Sequence, residues 1–197
     1  RVESRMIVQD SIGFAGSYGS RIGTTTGGGG STNFTENNTM NVFDPNFVTF
    51  ADEKAQGAIA EKDNEWILGY TTDNELPMDA NMLTNYLTIS PAKAINHYSY
   101  AAAWTWLINM TGKPDPTQAD INDEMMELFM SFVWDRYYNV VTTAFRKYDP
   151  NHMIMGTRFL TKVKDHAWVL RFASQYLDLM TINWYGQWTP NENDLYK

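Results

Sequence analysis

A cluster of polar and acidic residues directly follows an apolar run in the first half of the chain. The run covers residues 66–70, and Thr72, Asp73, Asn74 and Glu75 come shortly after it. A carboxyl group here could protonate a leaving oxygen and later deprotonate water, and a neighbouring amide could hold a sugar 2-hydroxyl. The alternative is a polar loop in which Asp73 or Asn74 only caps the next helix. The buried run upstream favours the catalytic interpretation.

Two further apolar runs are also followed by residues that could take part in chemistry. The active residues of parallel β/α folds lie at the carboxyl ends of the strands. We therefore expect the residues that follow the two runs to share one rim with Glu75. They are Thr157 and Arg158 after residues 153–156, and Asn183, Trp184 and Tyr185 after residues 177–182.

Helical patterns separate these runs and predict the elements that position the rim. Asp44 and Pro45 are typical of a helix start, and apolar periodicity continues to about Glu61. Strands that alternate with helices indicate parallel β/α units. The other predicted elements are a strand within residues 4–9, helices at residues 80–86, 91–111 and 168–176, and a long helix to residue 148 with Asp120 as its N-cap.

A glycine-rich stretch at residues 10–41 shows neither helical nor strand periodicity, so we expect a long loop there. If the strand within residues 4–9 belongs to the same sheet, this loop would wall a substrate cleft. The run Gly27 to Gly30 is not followed by the Lys-Ser/Thr pair of a phosphate loop, which argues against a nucleotide-binding protein.

Composition restricts the classes of partner. The chain has 197 residues, no cysteine and a net charge of −8, which excludes disulfides and argues against a duplex nucleic-acid binder. The three histidines lack metal-binding spacing, so neither a metal nor a cofactor is predicted, and no apolar run is long enough for a membrane span. The seven Trp, eleven Tyr and ten Phe favour a carbohydrate partner, with a large aromatic core as the alternative.

Four segments carry a resemblance to a known group of enzymes. Residues 67–76, ILGYTTDNEL, resemble the fourth strand of clan A glycoside hydrolases, which an Asn-Glu pair closes. Residues 148–159 resemble the helix end and fifth strand of agarase-like members, notably glycoside hydrolase family 50. Residues 178–185 resemble the sixth strand, and residues 42–47 the segment that opens the third helix.

The resemblance implies a fold and an activity for the whole protein. The expected fold is α/β, part of a (β/α)8 TIM barrel from strand 3 or 4 to strand 6, with a long helical excursion after strand 4. Residues 1–197 would form a single segment of the catalytic domain, and further chain segments would supply the rest. The expected activity is retaining hydrolysis of β-glycosidic bonds in a galactose-containing polysaccharide or oligosaccharide, by a secreted, periplasmic or cell-surface protein of a bacterium.

The resemblance also implies roles for individual residues at the matching positions. Tyr185 would orient the nucleophile or tune its charge, and His152 would be a structural turn residue. The remaining site residues are Glu75 as the acid/base, Asn74 as a sugar-binding residue, and Arg158 and Trp184 as subsite residues.

The nucleophile is not among the matched segments. A retaining enzyme needs a second carboxylate roughly 5 Å from the first, and clan A places it on a Glu that ends the seventh strand. Glu192 and Asp194 lie in a polar loop and are poor candidates, so the nucleophile is expected beyond Lys197. The residues of this chain alone should then be inactive. The alternative function is a non-catalytic carbohydrate-binding protein on a decayed hydrolase fold.

Overall fold

The computed structural model describes residues 7–9, 12–26, 33–160 and 167–186. Within these ranges, the chain forms seven short strands and six α-helices. The strands are β1 (Ile7–Gln9), β2 (Thr25–Thr26), β3 (Asn33–Phe34), β4 (Ile67–Tyr70), β5 (Met153–Ile154), β6 (Phe159–Leu160) and β7 (Ile182–Asn183). The helices are α1 (Phe14–Ile22), α2 (Pro45–Gly57), α3 (Met82–Thr88), α4 (His97–Thr111), α5 (Asp123–Tyr148) and α6 (Ala167–Ala173).

The site is carried by parallel strands. β4 lies between β1 and β5 and is parallel to both, while β6 pairs in parallel with β7. The amides of Asp178 and Leu179 donate to the Ile154 carbonyl over 3.0 and 3.4 Å, so the segment that leads into β7 runs beside β5. A mixed α/β architecture with parallel strands is therefore present. The closed barrel remains a prediction.

The core lies between α5 and the elements that surround it. Apolar side chains recur at three- and four-residue spacing along α5, and its buried face contacts α2, α3 and α6. The Trp134 ring is fully buried, with centroids 5.5 Å from Tyr138 and 5.7 Å from Phe159. Much of the aromatic content is therefore core, as the alternative interpretation of the composition proposed.

The glycine-rich stretch is not a continuous loop, so that prediction is wrong for the described part of residues 10–41. Residues Phe14–Ile22 form α1, and β2 and β3 follow as an antiparallel pair. Gly13 and Gly23 adopt φ angles of 74° and 79° at the two ends of the helix. The apolar face of α1 is short, with Phe14 and Tyr18 as its large buried side chains, which explains why the pattern gave no helical signal. The run Gly27 to Gly30 lies outside the described residues.

The long helix begins later than predicted. Asn122, not Asp120, is the N-cap of α5, and its side chain accepts the amide of Met125 over 2.9 Å. Asp120 instead closes a separate 3-10 turn, where its carboxylate accepts the amide of Thr117 over 2.8 Å. Ile121 between them is extended, with φ −86° and ψ 131°, so a helix cannot run through it.

The third predicted strand is also displaced. Of residues 177–182, only Ile182 is in a strand, and its partner β6 was not predicted. The Asp178 side chain accepts the amide of Ile154 over 2.8 Å and pairs with Arg146, and the backbone at residues 178 and 179 is bent and not extended. The predicted helices are confirmed, although α3 is shifted by two residues and α4 begins at His97.

None of the helices in the described part of the chain combines the length and the apolar composition that crossing a bilayer requires.

Candidate active site

The end of β4 is held on one side by the start of α1. The amide of Ile12 donates to the Thr71 carbonyl over 2.9 Å, and the amide of Gly13 donates to the Thr72 carbonyl over 2.8 Å. These bonds extend the pairing of β1 with β4 past the last strand residue. The segment that precedes α1 therefore lies directly against the polar residues that follow β4.

The continuation of β5 holds the other side. The amide of Thr72 donates to the Gly156 carbonyl over 2.7 Å, and the amide of Glu75 donates to the Thr157 carbonyl over 2.8 Å. Glu75 itself has a φ of 48°, in the left-handed region that side chains other than glycine seldom adopt. The backbone that presents its carboxyl group is therefore fixed by neighbours in an unusual conformation.

Four polar side chains meet at the carboxyl ends of β4 and β7. The Glu75 Oε1 atom accepts a hydrogen bond from Asn183 Nδ2 over 2.7 Å and a second one from the Tyr185 hydroxyl. Asn183 Nδ2 also lies 3.3 Å from Asn74 Oδ1. The Glu75 side chain is 6 % exposed, whereas Tyr185 is 66 % exposed, so the group opens toward solvent through the tyrosine.

Tyr185 contacts Glu75 itself. The hydrogen bond to the Glu75 carboxylate, together with partial burial and the negative charge of Glu75, raises the pKa of the Tyr185 hydroxyl above its ordinary value. The phenol therefore stays protonated at neutral pH and acts as a donor to the carboxylate. The predicted contact between Tyr185 and a nucleophile remains a prediction.

Arg158 and Trp184 flank this group. The positive charge of Arg158 partly offsets the rise in the pKa of Tyr185. Arg158 has a φ of 48°, and its buried Nε atom has no hydrogen-bond partner among the described residues. Trp184 is half-buried and stands between Asn183 and Tyr185 in the sequence. The structure thus brings the predicted rim residues to one end of the parallel strands.

A second carboxylate lies directly before the Asn74-Glu75 pair. Asp73 is 1 % exposed, and its carboxylate accepts hydrogen bonds from three donors: the amides of Ala15 and Gly16 over 2.9 and 3.0 Å, and the Tyr137 hydroxyl over 2.6 Å. Burial raises the pKa of Asp73 to about 6, although the hydrogen bonds from these donors act in the opposite direction. Asp73 therefore caps α1 from a distant part of the chain.

His152 lies at the other end of β5, in the turn after α5, as predicted. Its Nδ1 atom is 2.6 Å from Asp149 Oδ2, and its Nε2 atom is 3.1 Å from the Asn64 carbonyl. Burial lowers the pKa of His152, but the contacts with Asp149 and Asn64 outweigh it, and the pKa is raised overall. His152 thus joins the turn before β5 to the turn before β4.

Sequence reasoning missed two contributions to the site. Asn183 was expected on the rim without a role, although it donates to Glu75. The three partners of Asp73 are 57, 58 and 64 residues away in the sequence, so no local pattern could reveal them. Among the described residues, no three His, Asp or Glu side chains come together as metal ligands.

Comparisons with known proteins show which fold this is. No family model and no curated protein matches the chain. The crystal structure of BpGH50 is 21% identical, with a TM-score of 0.73, over 95% of this chain and 40% of that one. The agarase AgWH50C is 23% identical, with a TM-score of 0.54, over 75% of this chain and 22% of that one. An exo-beta-agarase is 24% identical, with a TM-score of 0.52, over 73% of this chain and 23% of that one.

These similarities confirm the predicted resemblance to family 50 structures and show a glycoside hydrolase-like fold. The chain spans less than half of the length of the solved structures that it matches.

Proposed function

We propose that this chain is part of the catalytic domain of a retaining glycoside hydrolase that cleaves β-glycosidic bonds in a galactose-containing polysaccharide or oligosaccharide. Glu75 is its general acid/base. The observation that supports this most strongly is the convergence of Asn183 and Tyr185 on the Glu75 carboxyl group, with Asn74 beside Asn183, at the carboxyl ends of parallel strands. The similarity to family 50 structures supports cleavage of a glycosidic bond as the reaction at this site.

The proposed reaction has two steps. In the first, Glu75 gives its proton to the glycosidic oxygen while a second carboxylate attacks the anomeric carbon, which forms a covalent glycosyl-enzyme and releases the leaving alcohol. In the second, the Glu75 carboxylate takes a proton from water, and that water attacks the anomeric carbon and frees the nucleophile. We place the nucleophile outside the residues that the structure describes.

The neighbours of Glu75 have separate tasks in this scheme. Asn183 and Tyr185 are neutral donors to Oε1, so they stabilise the carboxylate that remains after proton transfer and fix its orientation. Asn74 binds the sugar 2-hydroxyl, a contact that strengthens as the ring flattens. Arg158 and Trp184 line the subsites, where the indole face stacks on a sugar ring. Because a polymer cannot cross a bilayer, we place the protein outside the cytoplasm of a bacterium.

The first test is the Glu75→Gln variant of the full-length protein. It removes the transferable proton and keeps the side-chain shape, so kcat on agarose should fall by about 10²-fold or more, the size of a general acid/base contribution. The melting temperature should stay within a few degrees of the wild-type value. Reducing-end release and thermal unfolding measure the two effects.

The matched control is Glu65→Gln, which changes an exposed carboxylate just before β4 and should leave turnover unchanged. Near-normal turnover in Glu75→Gln would remove Glu75 from the acid/base role. A wild-type protein that binds galactan but releases no reducing ends would instead indicate a non-catalytic sugar-binding protein.

A further inference from the structure

The carboxylate of Asp73 joins three elements at the point where the chain leaves β4. It accepts the amides of Ala15 and Gly16 at the N-terminus of α1 and the hydroxyl of Tyr137 in the middle of α5. The N-cap residue of α1, Gly13, has no side chain that could do this. A negative charge at a helix N-terminus is favourable, and a buried carboxylate with three donors has a strongly preferred geometry.

Glu75 lies only two residues further along the chain. Its φ of 48° is costly for a residue with a side chain, and such a conformation persists only where the surroundings determine it. On the far side of the rim, the Thr157 carbonyl accepts the Glu75 amide over 2.8 Å. On the near side, the Asp73 carboxylate fixes the backbone that leads into Asn74 and Glu75. The direction of the Glu75 carboxyl group depends on both attachments.

We propose that Asp73 is a positioning residue for the acid/base, which acts through the backbone of Asn74 and Glu75 and not by contact with the substrate. This inference rests on the proposed function of Glu75. If the three donors to Asp73 are lost, the end of β4 can shift relative to α1 and α5. A shift of about 1 Å in a reacting group can cost on the order of 10²-fold in rate.

A purely structural role for Asp73 predicts a different result. It would lower the amount of folded enzyme and reduce the cleavage of every substrate by the same factor. Misplacement of the acid affects only reactions that need proton donation to the leaving group. The dependence of kcat/KM on the leaving group therefore separates the two roles, because kcat/KM reports the first chemical step.

The experiment uses the full-length protein and two probes, phenyl β-D-galactoside and 2,4-dinitrophenyl β-D-galactoside. Phenol is a poor leaving group that needs the acid, whereas dinitrophenol leaves without it. In Asp73→Asn, kcat/KM should fall about 10-fold or more for the phenyl galactoside and less than about 3-fold for the dinitrophenyl galactoside. In Glu75→Ala the acid is absent, so this variant gives the largest difference between the two galactosides in the loss of kcat/KM.

A milder variant keeps the test decisive if Asp73→Asn does not fold. Tyr137→Phe removes one donor, the 2.6 Å bond to Asp73 Oδ2, and should show the same pattern with a smaller amplitude. Its matched control is Tyr18→Phe, which removes a similar phenol-to-carboxylate bond of 2.8 Å between α1 and Asp44. That bond does not touch the end of β4, so Tyr18→Phe should change both substrates equally or not at all.

Each outcome supports or contradicts a stated claim. A loss confined to the phenyl galactoside in Asp73→Asn and Tyr137→Phe supports the positioning role. Equal losses on both galactosides in those variants, together with leaving-group dependence in Glu75→Ala, would overturn the inference and leave the proposed function intact. A wild-type protein that cleaves neither galactoside and releases no reducing ends from agarose, or a Glu75→Ala variant without leaving-group dependence, would contradict the proposed function itself.

Discussion

The hydrogen bonds at Glu75 favour one of the two protonation states that the proposed reaction requires. Asn183 and Tyr185 both donate to Oε1, and neither carries a charge at neutral pH. Donors of this kind stabilise the carboxylate form, which the proposed reaction needs when Glu75 activates water. The first step requires the protonated form, so the substrate must bind while Glu75 still holds its proton.

At the opposite end of the strands, His152 should make the stability of the protein depend on pH. Its pKa is raised in the folded state above the ordinary value of 6.5. Protonated His152 therefore stabilises the fold fully below that value, and this contribution is lost as the pH rises through the folded-state pKa. The substitution His152→Gln should lower the melting temperature more at a pH of about 5.5 than at about 8.5.

The control for this measurement is His97→Gln, because His97 is an exposed residue at the start of α4. Thermal unfolding of both variants and the wild type across that pH range gives the comparison. An equal loss in His152→Gln at both pH values would show that the contact with Asp149 does not depend on the charge of the imidazole.

At the level of elements, β4 and β5 approach so closely that the position of Gly69 in β4 has no room for a side chain. A Cβ atom added to Gly69 would lie 2.3 Å from the Met153 carbonyl oxygen, well inside contact distance. The clash is with backbone, so relief requires the two strands to move apart. Gly69→Ala should therefore lower the free energy of unfolding by about 1–3 kcal/mol or more, measured by denaturant unfolding.

Gly57, the last residue of α2, provides the comparison. A Cβ atom there meets nothing within 4 Å, and Gly57→Ala should be neutral or stabilise by up to about 1 kcal/mol. If Gly69→Ala were as stable as the wild type, the close pairing of β4 with β5 would be wrong.

Local patterns predicted most elements but not their precise limits or their long-range contacts. The start of α2 at Pro45 and the end of α4 before Gly112 are marked by strong stop and start signals, and both are confirmed. Asn122 and Asp120 are equally good caps in sequence, and only the extended backbone of Ile121 decides between them.

The candidate site also has a part that local patterns predict and a part that they do not. The rule that active residues follow parallel strands was enough to expect Glu75, Asn74 and Tyr185 on one rim, because strand ends can be recognised locally, whereas their proposed roles come from the resemblance. The hydrogen bonds to the Asp73 carboxylate depend on how α1 and α5 fold back onto β4. The residues that determine this packing are spread over distant segments of the sequence.

At the scale of the molecule, apolar side chains remain exposed along the last pair of strands. Leu160, Leu179, Met180 and Ile182 are each between 37 % and 44 % exposed. Continuation of the parallel sheet in the whole protein would cover these side chains. The solved structures that the chain matches are more than twice its length.

The variant Ile182→Lys in the full-length protein tests this coverage. If further strands pack there, a buried lysine without a partner should destabilise the protein by about 2 kcal/mol or more. Val48→Lys on α2 is the control, because Val48 has almost the same exposure, 44 % against 41 %. Similar melting temperatures for the two variants would show that the edge of β7 is open to water in the whole protein.

The left-handed backbone at position 75 has a consequence for how this protein could lose activity. Glycine and asparagine adopt that conformation more easily than glutamate, for which it costs on the order of 1 kcal/mol. Selection for folding yield alone would thus tend to remove the carboxylate. Under the proposed acid/base role of Glu75, a change to glycine or asparagine at this codon would therefore yield folded but inactive protein, which quality-control proteases would not clear.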